Sequence, residues 1–271
     1  MPPVRSRSNQ VQSVNRALRL LETVGARGPL TAVQAAAELG LAVSTVHNML
    51  RTLVARGYLL NSDGRYHIGP AVTVLASQWD PAGALPGLVQ PTLERLSQRS
   101  GHAALAAVVV GRSAQLIGFR SAPGPLVATS ARGMSVDPLA LAVGRVVVAC
   151  SRERDWPMFV DTLTDLEDAN ADVAQPRTRE QWLDHLRAIA ASGFCLKQPP
   201  GPDAVVALAV PVWASGGGVV CGLACSIPGY QASADELAAT LDALWESTAT
   251  LSGQLGCERV PISKPRLPST P

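Results

Sequence analysis

The sequence predicts a two-domain α/β (α+β) protein. A small N-terminal domain of helices closes with a β-hairpin, and a larger domain sets antiparallel strands against flanking helices. Three observations point there. The 271 residues suit two domains at roughly 100–200 residues each. Within the first 75 residues, helical periodicity broken by glycines leads to an Asp-Gly hairpin signal. Beyond them, short apolar runs alternate with longer helical segments.

Residues 1–10 are polar, carry Arg5 and Arg7, and read as a flexible arm. In the first helix Val14, Ala17, Leu18, Leu21 and Val24 share one face, and Gly25 and Gly28-Pro29 stop it. Thr31-Ala-Val-Gln34 fits a capping box that opens a short alanine-rich helix ending at Gly40. A third helix spans about Ser44 to Arg56, with Val46, Met49, Leu50, Leu53 and Val54 inward. Tyr58–Leu60 and Tyr66–Ile68 read as strands around Asn61-Ser-Asp-Gly64. Helix, helix, turn, helix, hairpin is a winged helix-turn-helix plan, assigned to residues 11–75.

Residues 76–98 read as a Pro/Gly-rich linker and connecting helix, helical from about Leu88 to Ser100. Residues 99–257 form the second domain. Ala103–Val110, Ala114–Arg120 and Leu126–Ser130 suggest strands of an antiparallel meander. Pro138–Cys150 fits helix or strand, its length favouring helix. Arg179–Ser192 reads as a helix with Trp182, Leu186 and Ile189 inward. Phe194–Lys197, Val205–Val212 and Val219–Ile227 read as strands, and Ser233 caps a last helix to Leu255 with Glu236 three residues on. The Pro-rich residues 258–271 read as disordered.

Composition limits the function classes. Hydrophobic residues at 47% and charged residues at 16% exclude a wholly disordered chain. No apolar run reaches the roughly 18 residues of a spanning helix, and Arg145 interrupts the longest, Leu139 to Cys150. The N-terminus has no apolar core of a secretory signal, and five scattered cysteines read as reduced thiols, so a cytoplasmic location is expected. The net charge of +2 is unevenly spread. Residues 1–75 hold eight Arg against three acids, whereas the remainder holds 15 basic and 18 acidic residues. A basic small domain suits a polyanionic partner, although such a surplus also fits an ordinary solvated surface.

If the apolar stripe of the third helix faces the core, then Ser44, Thr45, His47, Asn48, Arg51 and Thr52 face outward. Asn pairs with adenine edges, Arg with guanine or phosphate, and Ser or Thr with phosphate or base edges. Ser44, near the helix start, suits a phosphate. Arg65 on the hairpin, with Arg5 and Arg7 on the arm, can anchor the backbone of double-stranded DNA. A generic three-helix domain with a polar outer face is the plainer reading of the same pattern.

Several stretches carry a resemblance. They are Ser13-Val-Asn-Arg-Ala-Leu-Arg-Leu-Leu21, Ala37-Glu-Leu-Gly-Leu41, Ser44-Thr-Val-His47, Leu50-Arg-Thr-Leu-Val-Ala-Arg-Gly-Tyr58 and Gly64-Arg-Tyr-His-Ile-Gly69. Together they resemble the DNA-binding domain of the IclR family of bacterial transcriptional regulators. Asn48 departs from the Arg frequent at that place, and Asn15 from a common Asp. The likeness extends more loosely to about Gly256 through Gly144-Arg-Val-Val-Val-Ala149, Ile189-Ala-Ala-Ser-Gly-Phe194, Ala207-Leu-Ala-Val-Pro-Val-Trp213 and Val219–Ile227.

The resemblance implies a GAF-like effector domain with a small-molecule site, and a homo-oligomer, either a dimer or a dimer of dimers. Carried across, the family's ligand positions fall on Leu126, Ala128, Met134, Val136, Ala142, Val143, Lys197, Ala207, Ala224 and Ser226. Lys197 stands where the family has an acid, and Ala207 and Ala224 replace polar residues. Lys197, Ser226 and the helix start at Ala142 suit a carboxylate-bearing effector, unless Lys197 is simply a solvated lysine.

An enzyme has little support. Gly-x-Ser-x-Gly, Walker, His-Glu-x-x-His and dinucleotide-binding patterns are missing, and the four histidines are dispersed. Cys221 and Cys225 stand about 13 Å apart on a strand, too far to share a metal, so no cofactor and no metal are expected. The reading is therefore a DNA-binding regulator tuned by a small molecule. The alternative is a protein-binding adaptor with a degenerate winged helix.

Overall fold

The computed structural model describes residues 11–78, 81–122, 135–161, 178–201, 204–258 and 260–267. The chain divides into two compact units, Met1–Asp80 and Pro81–Pro271.

The first unit contains α1 (Gln12–Arg27), β1 (Leu30–Thr31), α2 (Ala32–Leu39), α3 (Val43–Ala55), β2 (Leu59–Ser62), β3 (Arg65–Ile68) and α4 (Pro70–Ser77). Thr31 and Gln34 exchange side-chain and backbone hydrogen bonds across the first turn of α2, and Gly40 ends that helix in a left-handed conformation. Leu20 and Val24 of α1, Ala35 and Ala36 of α2, Val46 and Leu50 of α3, Leu59 and Tyr66 form the buried core. The strands add a three-stranded sheet in the order β1-β3-β2. Ser62 pairs with Arg65, so β2 and β3 are joined by Asp63-Gly64 alone. Both turn residues have positive φ, 51° at Asp63 and 77° at Gly64. That geometry matches the right-handed twist of the flanking strands, and Gly64 adopts it without a steric penalty.

The second unit opens with α5 (Pro81–Ser100), followed by β4 (Ala103–Val110), β5 (Ser113–Arg120), β6 (Ser135–Val136), α6 (Ala142–Ala149), α7 (Pro157–Val160) and α8 (Arg179–Ser192). Then come β7 (Cys195–Lys197), β8 (Val205–Trp213), β9 (Val219–Pro228) and α9 (Ala234–Gln254). The sheet is antiparallel, in the order β6-β5-β4-β9-β8-β7. Its two faces are covered by different helices because side chains alternate along each strand. Leu208, Val210, Leu223 and Cys225 pack with Leu85, Val89, Leu93 and Leu96 of α5 and Leu241 and Leu244 of α9. Ala107, Ala209 and Ala224 face α6, with Trp182, Leu186 and Ile189 of α8 completing that layer.

Two expectations change and one open reading is decided. The proposed linker and connecting helix at 76–98 is largely α5, whose Leu85, Val89, Leu93 and Leu96 enter the core. This burial offsets Pro86 and Pro91, which lie inside the helix and cost it hydrogen bonds. Pro138–Cys150 resolves into a 3-10 turn at Pro138–Ala140 and helix α6, buried throughout. Residues 260–267, expected to be disordered, lie against the second unit. Pro265 is buried, Leu267 packs on both the α5/α9 cluster and a cluster containing Val206, Ile227 and Leu237, and Lys264 pairs with Asp242 at 2.8 Å. The strand expected at Leu126–Ser130 and the arm at 1–10 lie outside the described residues.

Candidate nucleic-acid interface and ligand cavity

Helix α3 divides cleanly by face. Val46 and Leu50 are fully buried, while Ser44, Thr45, His47, Asn48, Arg51 and Thr52 are exposed. Arg65 is exposed on β3. The Thr52 hydroxyl donates to the Asn48 carbonyl at 3.0 Å, so it offers an outside partner its lone pairs only. Thr45 and Val46 both donate to the Ala42 carbonyl, so Val43 and Ser44 are the first-turn residues whose N–H groups lie ahead of the helical bonds. An open groove of about 550 Å³ runs beside this face, lined by Asn48, Arg51, Thr52, Val54, Ala55, Asn61 and Tyr66. Asn61, read from the sequence as a turn residue only, also lines this groove. Its Oδ1 accepts from Gly64 N–H at 3.1 Å and steadies the turn, which leaves its amide N–H groups for a partner.

A cavity of about 340 Å³ lies in the second unit, on the α6 side of the sheet. That volume falls within the roughly 300–1,000 Å³ range of small-molecule sites. It brings together six expected residues: Ala142, Val143, Lys197, Ala207, Ala224 and Ser226. The pairings Lys197↔Ala207 and Ala207↔Ser226 put three of them in one row across β7, β8 and β9. Alanine at 207 and 224 leaves an apolar floor. Leu105, Ala140, Leu141, Pro199, Ala204 and Val205 complete the lining and were not anticipated. They come from four separate segments, and no local pattern marks them. Val136 does not line the cavity. It sits on β6, the sheet edge opposite β7. Leu126, Ala128 and Met134 lie outside the described residues.

Two sources of positive potential meet at this cavity. Lys197 is only 9% exposed, and its Nζ donates to the Ala140 carbonyl at 2.9 Å. Two residues on, α6 begins, and its first-turn N–H groups precede the helical hydrogen bonds and carry the positive end of the helix dipole. Close packing fixes the helix there. A Cβ on Gly144 would stand 2.1 Å from the Pro138 carbonyl oxygen, and one on Gly222 would stand 2.7 Å from Val143 Cγ2. Arg145, fully buried, donates from Nε to the Leu139 carbonyl at 2.6 Å and lies 5.0 Å from the centre of the Trp182 ring. It therefore braces the turn that leads into α6. The only sequence sign of this role was a charge interrupting an apolar run.

Burial pushes the Cys221 and Cys225 thiols up to about 12, which keeps both protonated near neutrality. Among the described residues, no three His, Cys, Asp or Glu side chains stand together as a metal site, and no helix is long and apolar enough to cross a membrane.

Comparison with known proteins decides between a regulator and the alternatives. The IclR helix-turn-helix domain matches residues 13–62, and the C-terminal domain of the bacterial transcriptional regulator IclR matches residues 85–253. The chain belongs to the IclR family. The HTH-type transcriptional regulator BhcR of Paracoccus denitrificans is 27% identical over 248 residues, spanning 90% of this chain and 88% of that protein. XynR of Escherichia coli is 25% identical over 249 residues, spanning 91% and 98%. The solved structure of an IclR homologue from Microbacterium hydrocarbonoxydans, complexed with 4-hydroxybenzoate, shares the fold with a TM-score of 0.54 and 20% identity, covering 90% of this chain and 98% of that one. This chain is thus an IclR-type DNA-binding transcriptional regulator and not an enzyme.

Proposed function

We propose that this IclR-type regulator binds its operator through the exposed face of α3 and is tuned by an organic carboxylate held in the cavity beside α6. The observation that carries the effector half is the convergence of the buried Lys197 ammonium group and the start of α6 on a cavity floored by Ala207 and Ala224. An anion gains from both groups, and apolar floor residues take up its body. The 4-hydroxybenzoate named with the Microbacterium homologue is a ligand of this chemical kind.

On the DNA side, α3 lies in the major groove. Asn48 and Arg51 meet base edges, with Thr45 and His47 beside them, while Ser44, Thr52 and Arg65 meet the sugar-phosphate backbone. Residues 11–75 carry this activity and residues 99–257 the effector response. Two subunits read two half-sites, so the working unit is a homo-oligomer. The effector acts by binding one arrangement of the DNA-binding domains more tightly than another; equal affinity for both would shift nothing. Titration of the purified regulator with a panel of small carboxylates, monitored by calorimetry and by operator gel shift, tests the proposal. Carboxylate binding that changes operator affinity supports it. Binding of neutral amide analogues with equal affinity overturns it.

A further inference from the structure

The segment after α9 lies beyond residues 85–253, where the family likeness ends. It nevertheless makes contacts at three places. Ile262 occupies the space beside Gly193, where an added Cβ would stand 2.5 Å from Ile262 Cδ1. Lys264 pairs with Asp242 of α9. Leu267 joins Leu196 in packing against Val206, Ile227 and Leu237.

Two of these contacts flank β7: Ile262 meets Gly193 two residues before it, and Leu267 packs on the clusters that also take Leu196. That strand has three residues and forms the edge of the sheet, so β8 is its one strand neighbour. Gly193 is the C-cap of α8, two residues before β7 begins. Leu196 is its middle residue and points to the α5/α9 side, whereas Lys197 lines the cavity on the other side. Leu196 and Leu267 pack against the same buried residues of the α5/α9 side, so residues 260–267 share a layer with the face of β7 that lies opposite the cavity.

We propose that residues 260–267 form a strap that positions Lys197. By pressing on the entry to β7 and on the face opposite the cavity, the strap fixes the edge strand, and with it the distance from the Lys197 ammonium group to the start of α6. Ile262 and Leu267 are positioning residues; they touch no ligand. The inference rests on the effector reading and deepens it by naming what sets the geometry of Lys197.

The chain holds two lysines, Lys197 and Lys264, so isotopically labelled lysine gives two side-chain signals. A Lys264→Arg variant assigns them. In the intact protein at mildly acidic pH, the Lys197 ammonium protons are expected to exchange slowly and to appear away from the solvated position. Ending the chain after Cys257 is expected to move the Lys197 signal to the solvated position and to abolish its slow exchange, while far-ultraviolet circular dichroism stays unchanged. Leu267→Ala, a milder change for use if the shortened chain does not fold, is expected to move the signal in the same direction. An unchanged Lys197 signal in a folded shortened chain, or in Leu267→Ala if only that variant folds, overturns the strap. No effector enters this measurement. A protein that binds no carboxylate but shows the Lys197 shift therefore retains the strap and loses only the effector reading.

Discussion

The Lys197 ammonium group donates to the carbonyl oxygen of Ala140, a residue 57 positions earlier in the chain. This bond ties an edge strand to the turn that launches α6, so the cavity's charged side chain and its helix terminus are one unit. A side chain with a polar carbonyl partner can exchange it for a stronger, charged one if an anion binds as proposed.

Lys197→Ala is therefore expected to weaken carboxylate binding by about 10- to 100-fold, the effect of losing one charge-assisted hydrogen bond of roughly 1.5–3 kcal/mol. Operator affinity without effector should stay unchanged. Calorimetry and gel shift on the same preparation check both halves.

Arg51→Ala should weaken operator binding by about 1–3 kcal/mol if the guanidinium meets a guanine edge. Measured against salt, the wild-type affinity should fall steeply, because phosphate anchoring releases counterions. Asn48→Ala should relax base preference at one operator position while leaving the salt slope nearly unaltered, since no charge is removed.

Gly144→Ala should destabilise the second unit by about 1–3 kcal/mol, because its methyl group would stand on the Pro138 carbonyl. The unit's thermal midpoint should fall, and the first unit's should not. If the midpoint is unmoved, the close approach of α6 to this turn is wrong.

The buried thiols set an alkaline limit. Their folded values are raised to about 12, so Cys221 and Cys225 contribute stability that is complete below the unfolded thiol value of about 8.5 and is lost as pH rises toward the folded value. Unfolding free energy should fall by about 1.4 kcal/mol per pH unit for each thiol within that window. Denaturant titrations of wild type and Cys225→Ala check this, with a shallower decline expected for the variant.

Elements with signals of short range were legible in the sequence. Thr31 with Gln34, Ser233 with Glu236 and the apolar stripe of α3 declare themselves within a few residues, and the structure keeps them. Helix α5 was legible only from about Leu88, because Pro86 and Pro91 oppose it locally, while the burial that supports it comes from β4, β5 and α9. The run from Val146 to Val148 is β-branched and fits a buried strand locally; the length of the whole segment favoured helix, and the structure has helix there, buried throughout. The cavity depends on strand register. Lys197, Ala207 and Ser226 meet through pairings that no local pattern states, and Val136 falls on the far edge for the same reason. In residues 260–267, Ile262, Pro265 and Leu267 are too sparse to read as a packed segment.

The hairpin between β2 and β3 turns on two residues held at positive φ. A turn so constrained has few conformations left to lose. On the proposed DNA reading, Arg65, the residue after Gly64, therefore approaches a duplex from a support already ordered in the free protein. Its ordering entropy is incurred when the chain folds and not when the operator is found, which favours a wing that engages early in the encounter and tolerates little variation in the width of the groove beside it.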